Sequence, residues 1–475
     1  LCSFLGGMRA ITWTQVAQYV VLLLAFLIPV SWLAYKQLGN PLAPLVYGKQ
    51  LEKITEMEKV LKDSPAERQV REVFAQRAKE YEARLKDIDS ALRRERAAAQ
   101  ERVRVLKARD ADSALIVAAS RELAALPKDA ASARELWTRA MAESHERAKP
   151  LGGLPPHSQA FAGDPQGTAQ EQQAFSTSRL NFLALMFCLM VGTAGLPHLL
   201  TRFYTTPSVA EARSSVAWSL FFIALLYLSA PALAVLVKFE VMQGLVGSSF
   251  DTLPSWIGQW AKVDPALISV ADVNGDRILQ FGEIRMGADI VMLVTPEIGG
   301  LPYVVSGLVA AGGLAAALST ADALLLTISN SIVRDVYCHE IRSDVTPEQR
   351  VILSKFALLG IAMIAAFVAA LKPADILPLV AASFSLAASA FVPVMVLGIF
   401  WRGTTRAGAV AGMLGGLGVT VYYMLVNSQV IRNLVGLEPG STLWFGILPV
   451  SAGVFGVGLG LAMAVVVSLA TRGGD

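Results

Sequence analysis

Apolar residues run in long blocks along most of this chain, and eight of these blocks are about 20 residues or longer, the length an α-helix needs to cross a bilayer. They are Ile11–Ala34, Leu180–Thr201, Ser215–Val237, Gly300–Val333, Val351–Leu371, Ile376–Trp401, Ala407–Val426 and Leu443–Ala470. We number them spans 1 to 8. A shorter apolar stretch, Asp289–Gly299, carries Pro296 and Glu297 and predicts a re-entrant or interfacial helix.

One long segment breaks the pattern. Residues 36–178 are too rich in charge to cross a bilayer, and from Ser64 they read as a long amphipathic helix. Ser64-Pro65-Ala66-Glu67 predicts a helix start, with Ser as N-cap, Pro in the first turn and Glu closing a capping box. Val70, Phe74, Ala78, Tyr81, Leu85, Ile88 and Leu92 then form one apolar stripe. Helical stretches at Asp112–Leu126 and Pro127–Glu146 could pack on it, and the Pro- and Gly-rich residues 148–178 predict a flexible linker. The segment reads either as a helical hairpin capping a membrane domain or as a docking surface for a small membrane subunit or a second protomer. The expected organisation is therefore a first span in 1–35, an insert and linker in 36–178, two spans in 179–238, a loop region in 239–299 and five spans in 300–475.

Composition agrees with a polytopic membrane protein: 54% of the residues are hydrophobic, and mean hydropathy is +0.50. A net charge of +3, with no basic stripe clear of acids, excludes a nucleic-acid partner. Cys2, Cys188 and Cys338 are scattered, with neither metal spacing nor a disulfide framework. The short loops after spans 2, 4 and 6 carry Arg202 and Arg213, then Arg334, Arg342, Arg350 and Lys355, then Arg402 and Arg406. Those after spans 5 and 7 hold only Lys372 and Arg432. Positive charge therefore places the first set in the cytoplasm, together with the chain ends at Arg9 and Arg472, and the insert on the external or periplasmic side. Leu1 is not an initiator Met and no signal peptide opens the chain, so we expect it to start in mid-protein.

Three stretches carry chemistry. In span 4, Ala316-Ala-Leu-Ser319-Thr320-Ala-Asp322 sets two hydroxyls and a carboxylate at membrane depth, where ionisable groups usually face a pathway or a partner. Hydroxyl oxygens are hard ligands that suit a small hard cation such as Na⁺. Ser and Thr also bond back to helix carbonyls, which is the plain alternative for the pair. Span 2 contains Gly192-Thr193-Ala194-Gly195-Leu196-Pro197-His198 and predicts an interrupted helix exposing backbone to substrate or ions, or else a packing kink. His198 reads as a hydrogen-bonded structural residue. Finally, Asp272, Asn274, Asp276, Gln280 and Glu283 fall at positions 1, 3, 5, 9 and 12 of a loop that resembles an EF-hand, with the Ile278 carbonyl at position 7. Position 6, normally Gly, is Arg277. Ca²⁺ binding and a polar turn of similar spelling are both open.

Together, Gly192-Thr-Ala-Gly-Leu-Pro-His198 with Arg202-Phe203 resembles the sodium:solute symporter family, in particular its acetate/monocarboxylate permease branch. Gly7-Met8 with Trp13-Thr14 is similar to a helix opening of that family, and Ala316…Ser319-Thr320 to its sodium-site helix. Phe384-Ser-Leu-Ala-Ala-Ser389-Ala-Phe-Val-Pro393, Gly398-Ile-Phe-Trp401-Arg402 and Gly408-Ala…Ala411-Gly-Met413 resemble its late helices. The likeness covers the membrane parts but not the insert.

The resemblance implies an all-α fold of the leucine-transporter type, a five-plus-five inverted repeat. Of this the chain would hold the fifth core helix, the second repeat (spans 2–6) and two trailing helices, with the N-terminal helices missing. It implies Na⁺ held by the Ala316 carbonyl and the Ser319 and Thr320 hydroxyls, and solute near Gly192–Gly195. Some members carry an acid just after the Trp-Thr pair, where this chain has Gln15, and Asp322 is our candidate for the missing charge. Transport by Na⁺-coupled symport of a small monocarboxylate such as acetate is the reading we expect, and a membrane sensor on a transporter-like fold is the alternative. No nucleophile–base pair or phosphate loop points to an enzyme.

Overall fold

The computed structural model describes residues 2–109, 112–203, 206–341, 344–371, 376–428, 432 and 442–472, and at 2–10, 114 and 201–203 the backbone only. Arg342 and Lys372 of the charge comparison lie outside the described residues, as do the side chains of Cys2, Gly7-Met8, Arg9, Arg202 and Phe203. The chain is an all-α polytopic membrane protein: among the described residues, eight helices are long and apolar enough to cross a bilayer. Their helical cores are Cys2–Leu38, Ala169–Gly195, Val209–Gly244, Tyr303–Asn330, Pro347–Ala370, Ile376–Phe400, Arg406–Val426 and Gly453–Thr471.

Two ends differ from expectation. Span 4 does not stop near Val333 but widens into a π-helix over Ser331–Ile341. Span 8 becomes α-helical only at Gly453, because Phe445 and Gly446 take left-handed backbone (φ 54° and 72°) and Pro449 opens a separate short turn. That irregular entry is held by span 7, where the buried Tyr423 hydroxyl donates to the Ile447 carbonyl at 2.6 Å and accepts the Trp444 N–H at 3.0 Å.

The chain divides into two compact units. The first comprises 1–27, 160–227 and 307–475. In it, spans 2, 6, 7 and 8 approach one another through small residues, the device membrane helices use where water cannot drive association. A Cβ at Gly412 would lie 2.8 Å from the Gly460 carbonyl oxygen, and one at Gly416 2.8 Å from that of Gly456. Polar side chains in this bundle find partners close by: Ser385 Oγ donates to Val450 O at 2.6 Å, Ser389 Oγ to Ser385 O at 3.0 Å and Thr420 Oγ1 to Gly416 O at 2.9 Å. Phe161 packs edge-on against Phe175 and Phe182. Residues 169–178 are helix rather than linker, the first turns of span 2, started by a capping box between Thr168 and Glu171.

The second unit comprises 28–159 and 228–306. A helix that periodicity did not single out, Gly48–Asp63, packs Ile54 against Val235, Phe239 and Met242. Its Glu58 is buried, accepts Lys238 Nζ at 2.5 Å and takes the His157 N–H at 3.0 and 2.8 Å, so the chain after Pro150 is pinned to this helix. The predicted long helix is two, Pro65–Lys86 and Ile88–Ala108, divided at Asp87, whose carboxylate caps Ser90 N–H. Val70, Phe74 and Ala78 of the stripe are buried, and Ile88 and Leu92 join Ala133 and Trp137 of the Ala130–Arg147 helix. Glu67 does not close a capping box on Ser64; it reaches the Phe281–Glu283 turn instead. That turn lies in the loop of a small antiparallel hairpin, Ile268–Val270 with Ile284–Met286, paired Ile268 to Met286 and Val270 to Ile284. Asp289–Gly299 forms the helix Val291–Ile298, and its Glu297 accepts the Trp260 indole N–H at 2.7 Å.

Candidate functional site

Span 4 gathers oxygens at one level. Ser319 Oγ donates to the Ala316 carbonyl at 2.8 Å, and Thr320 Oγ1 to the same oxygen at 3.4 Å. Three oxygens therefore converge within one helical turn, and the two hydroxyls make the back-bonds that Ser and Thr ordinarily make in a helix. Asp322 lies three residues beyond Ser319, on the same face, and is half-buried. Thr320 is exposed.

Span 1 crosses span 4 here and runs antiparallel to it. Gln15 Nε2 donates to the Ser319 carbonyl at 2.6 Å, and ten residues on, Ala25 sits so close to Gly312 that no Cβ fits there. Gln15 thus touches the Ala316–Asp322 segment, through a backbone carbonyl. That contact was missed in the sequence, since nothing in a lone Gln shows which helix it faces. Further along span 4, Ser329 Oγ bonds Ser354 O of span 5 at 2.6 Å.

Span 2 is interrupted where expected. The helix ends at Gly195, Leu196 is extended (φ −69°, ψ 116°) and Pro197 starts a second short helix. The four residues read as substrate contacts divide by face. Gly192 and Gly195 are buried against span 6: a side chain on Gly192 would strike the Phe384 carbonyl, and a Cβ on Gly195 would lie 2.8 Å from Ala387 O. Thr193 and Ala194 point the other way and are exposed, with Thr193 Oγ1 donating to Leu189 O at 2.7 Å.

The Asp272–Glu283 loop closes on itself. Asp272 accepts the N–H groups of Gly275 (2.7 Å) and Arg277 (3.1 Å), and Asp276 that of Ile278 (2.8 Å). Glu283 is buried and takes the Val273 and Gln280 N–H groups at 2.6 and 3.0 Å. Burial pushes the Glu283 carboxyl above its usual range, against the pull of those N–H groups. At Asp276 the burial penalty is outweighed by the combined bonds from the Ile278 N–H, Asn274 and Gln280, which hold its carboxyl low. Among the described residues, no group of three or more His, Cys, Asp or Glu side chains is gathered around one metal position.

Comparison with known proteins locates this geometry. The sequence model of the sodium:solute symporter family matches residues 288–416, which include the whole of span 4. An uncharacterized symporter of Cupriavidus necator is 50% identical over 471 residues, covering 99% of this chain and 67% of that protein. A monocarboxylic acid transporter of Corynebacterium glutamicum is 28% identical over 267 residues, 56% of this chain and 42% of that protein.

Proposed function

The chain belongs to the sodium:solute symporter family, and from that premise we propose that it serves Na⁺-coupled symport of a small organic solute, a short monocarboxylate such as acetate. Family membership makes it a transport protein and not an enzyme, and implies sodium as the coupling ion. The observation that carries the reading is the convergence of Ala316 O, Ser319 Oγ and Thr320 Oγ1 on one turn of span 4, inside the matched segment. A cation approaching that turn meets three oxygen lone pairs, provided the two hydroxyl protons rotate away from the carbonyl. Asp322, on the same face, supplies compensating negative charge. Gln15 holds the Ser319 carbonyl of the same turn from span 1.

Solute is assigned to the exposed side of the span 2 break, at Thr193 and Ala194, with Gly192 and Gly195 setting the break against span 6. A monocarboxylate is chosen because one relative is described as a monocarboxylic acid transporter. The loop charges support an external position for the insert. Both relatives are longer than this chain, so the activity of the whole transporter is part of the proposal.

The test is sodium-dependent uptake in proteoliposomes. Ser319→Ala and Thr320→Ala each remove one oxygen, a loss of about 1–3 kcal/mol, so the half-saturating Na⁺ concentration should rise about 5–150-fold. Normal uptake with unchanged sodium dependence would take these residues out of the site.

A further inference from the structure

The transport site proposed above does not include the Asp272–Glu283 loop, yet the loop is built with more care than a polar turn requires. Arg277, at the position where calcium loops carry Gly, takes the left-handed backbone that the position demands (φ 60°). Leu279, the apolar position 8, is fully buried, and its N–H and carbonyl pair with Ser248 O and Gly247 N–H at 2.8 Å each, fixing the loop from outside. Asp272 already draws the chain around itself through two N–H groups. Gln280, at position 9, is 4% exposed; its Nε2 donates to Asp276 Oδ2 at 2.8 Å, and its Oε1 is buried with no hydrogen-bond partner. A buried amide oxygen left in that state costs free energy that a cation would recover.

The exit turn of the loop is gripped by the insert. Both oxygens of the buried Glu67, on the Pro65–Lys86 helix, accept N–H groups of the turn, from Phe281 and from Gly282, the latter at 3.2 Å. Arg147, whose guanidinium lies 4.4 Å from the Phe74 ring, donates to Gly282 O at 2.8 Å. Arg285 pairs with Glu143 at 3.1 Å. Glu67 and Glu283 are thus two carboxylates on one three-residue turn, but they hold different N–H groups.

We propose that this loop is a Ca²⁺ site and that the helical insert reads its occupancy through the Phe281–Glu283 turn. The ligands are the Asp272, Asn274, Asp276, Gln280 and Glu283 side chains and the Ile278 carbonyl. The closed loop does not present them all together. Binding draws the Asp272, Asp276 and Glu283 carboxylates onto the cation, and each Glu283 oxygen keeps a lone pair beyond the one taken by Val273 or Gln280 N–H. The Phe281 and Gly282 N–H groups stay with Glu67, so the grip survives. Calcium then neutralises Glu283, removes its repulsion of Glu67 and tightens the insert on the turn. The site would work in the same way whichever solute the protein carries.

The experiment uses the protein in nanodiscs, titrated calorimetrically with CaCl₂ and with MgCl₂ as control, and followed by hydrogen exchange over 65–86 and 281–286. We expect saturable Ca²⁺ heat with Kd about 10⁻⁴–10⁻³ M and slower exchange in both segments. Asp276 is exposed, so Asp276→Asn spares the fold and should abolish both effects, whereas Glu67→Gln should keep the heat and lose the slowing over 65–86. No Ca²⁺ heat, or heat unchanged in Asp276→Asn, would overturn the site. Heat without a change in exchange would overturn its reading by the insert.

Discussion

Spans 2 and 4 each carry a run of small and polar residues inside an apolar helix, and the fold treats the two runs in opposite ways. In span 2, Gly192 and Gly195 are pressed onto the backbone of span 6, in contact with the carbonyls of Phe384 and Ala387. In span 4, Ala316, Ser319, Thr320 and Asp322 stay partly open, and Ser319 is fixed from another helix through its backbone carbonyl and Gln15. The surroundings match. Of the apolar core of each span, 44% lies buried in span 6 and 39% in span 8, against 22% in span 2 and 11% in span 4, so the first run packs onto a buried helix and the second lies on the least buried of the four. Glycine at membrane depth marks close approach, whereas hydroxyls with an acid mark a surface that must meet something polar.

The packed face of span 2 is most vulnerable at Gly192. Gly192→Val drives two methyls into the Phe384 backbone, which has no rotamer to yield. Overpacking of this kind costs about 1–3 kcal/mol in a well-packed core. We expect a lower melting temperature in detergent and uptake lost in proportion to folded protein. A normally stable variant that fails to transport would move Gly192 from packing to the solute pathway.

Next in size is Asp322→Asn, which keeps shape and removes charge. If span 4 is the ligand face, the variant should fold like the wild type and lose or alter cation coupling, read as the Na⁺ and pH dependence of uptake. The same stoichiometry and pH profile in the variant would make Asp322 structural and the two spans alike.

A gentler test is Gln15→Leu. It deletes the 2.6 Å bond to the Ser319 carbonyl while leaving the hydroxyls in place. An unmade hydrogen bond to a buried carbonyl costs about 1–3 kcal/mol, less where water reaches it. Half-saturating Na⁺ should rise by less than in Ser319→Ala, with the solute KM at saturating Na⁺ unchanged. A change in KM alone would place Gln15 on the solute side.

What could be read from sequence follows the range of the interaction. Eight spans were legible because a bilayer imposes a length on apolar runs. The break at Leu196 was legible because Pro197 cannot continue a helix without losing a bond. The helical start at residue 169 carried a signal that the Pro- and Gly-rich composition masked, the Thr168-x-x-Glu171 capping box. Other features were not legible, since their partners are far away in sequence. Glu67 has the spelling of a capping box, yet its oxygens serve a turn 214 residues away, and Gln15 serves a carbonyl 304 residues away. Which face of the span 2 break is packed and which is open was likewise invisible, because Gly192, Thr193, Ala194 and Gly195 read alike until span 6 is laid against them.

The smallest predicted effect lies on that open face. Thr193 is exposed and bonded to its own helix, so Thr193→Val removes one hydroxyl at nearly constant shape. Back-bonding of this sort adds little to helix stability, and an exposed substitution away from packing usually stays within about 0.5 kcal/mol. Folding and Na⁺ dependence should therefore be unchanged. If a solute carboxylate meets the Thr193 hydroxyl, KM for the monocarboxylate should rise while the half-saturating Na⁺ concentration at saturating solute stays put. That dissociation of the two constants is the point of the test, because Ser319→Ala is expected to shift them the other way round. An unchanged KM would leave span 2 a purely packed element, with both of its faces outside the pathway, and would concentrate the ligand chemistry of this chain in span 4 alone.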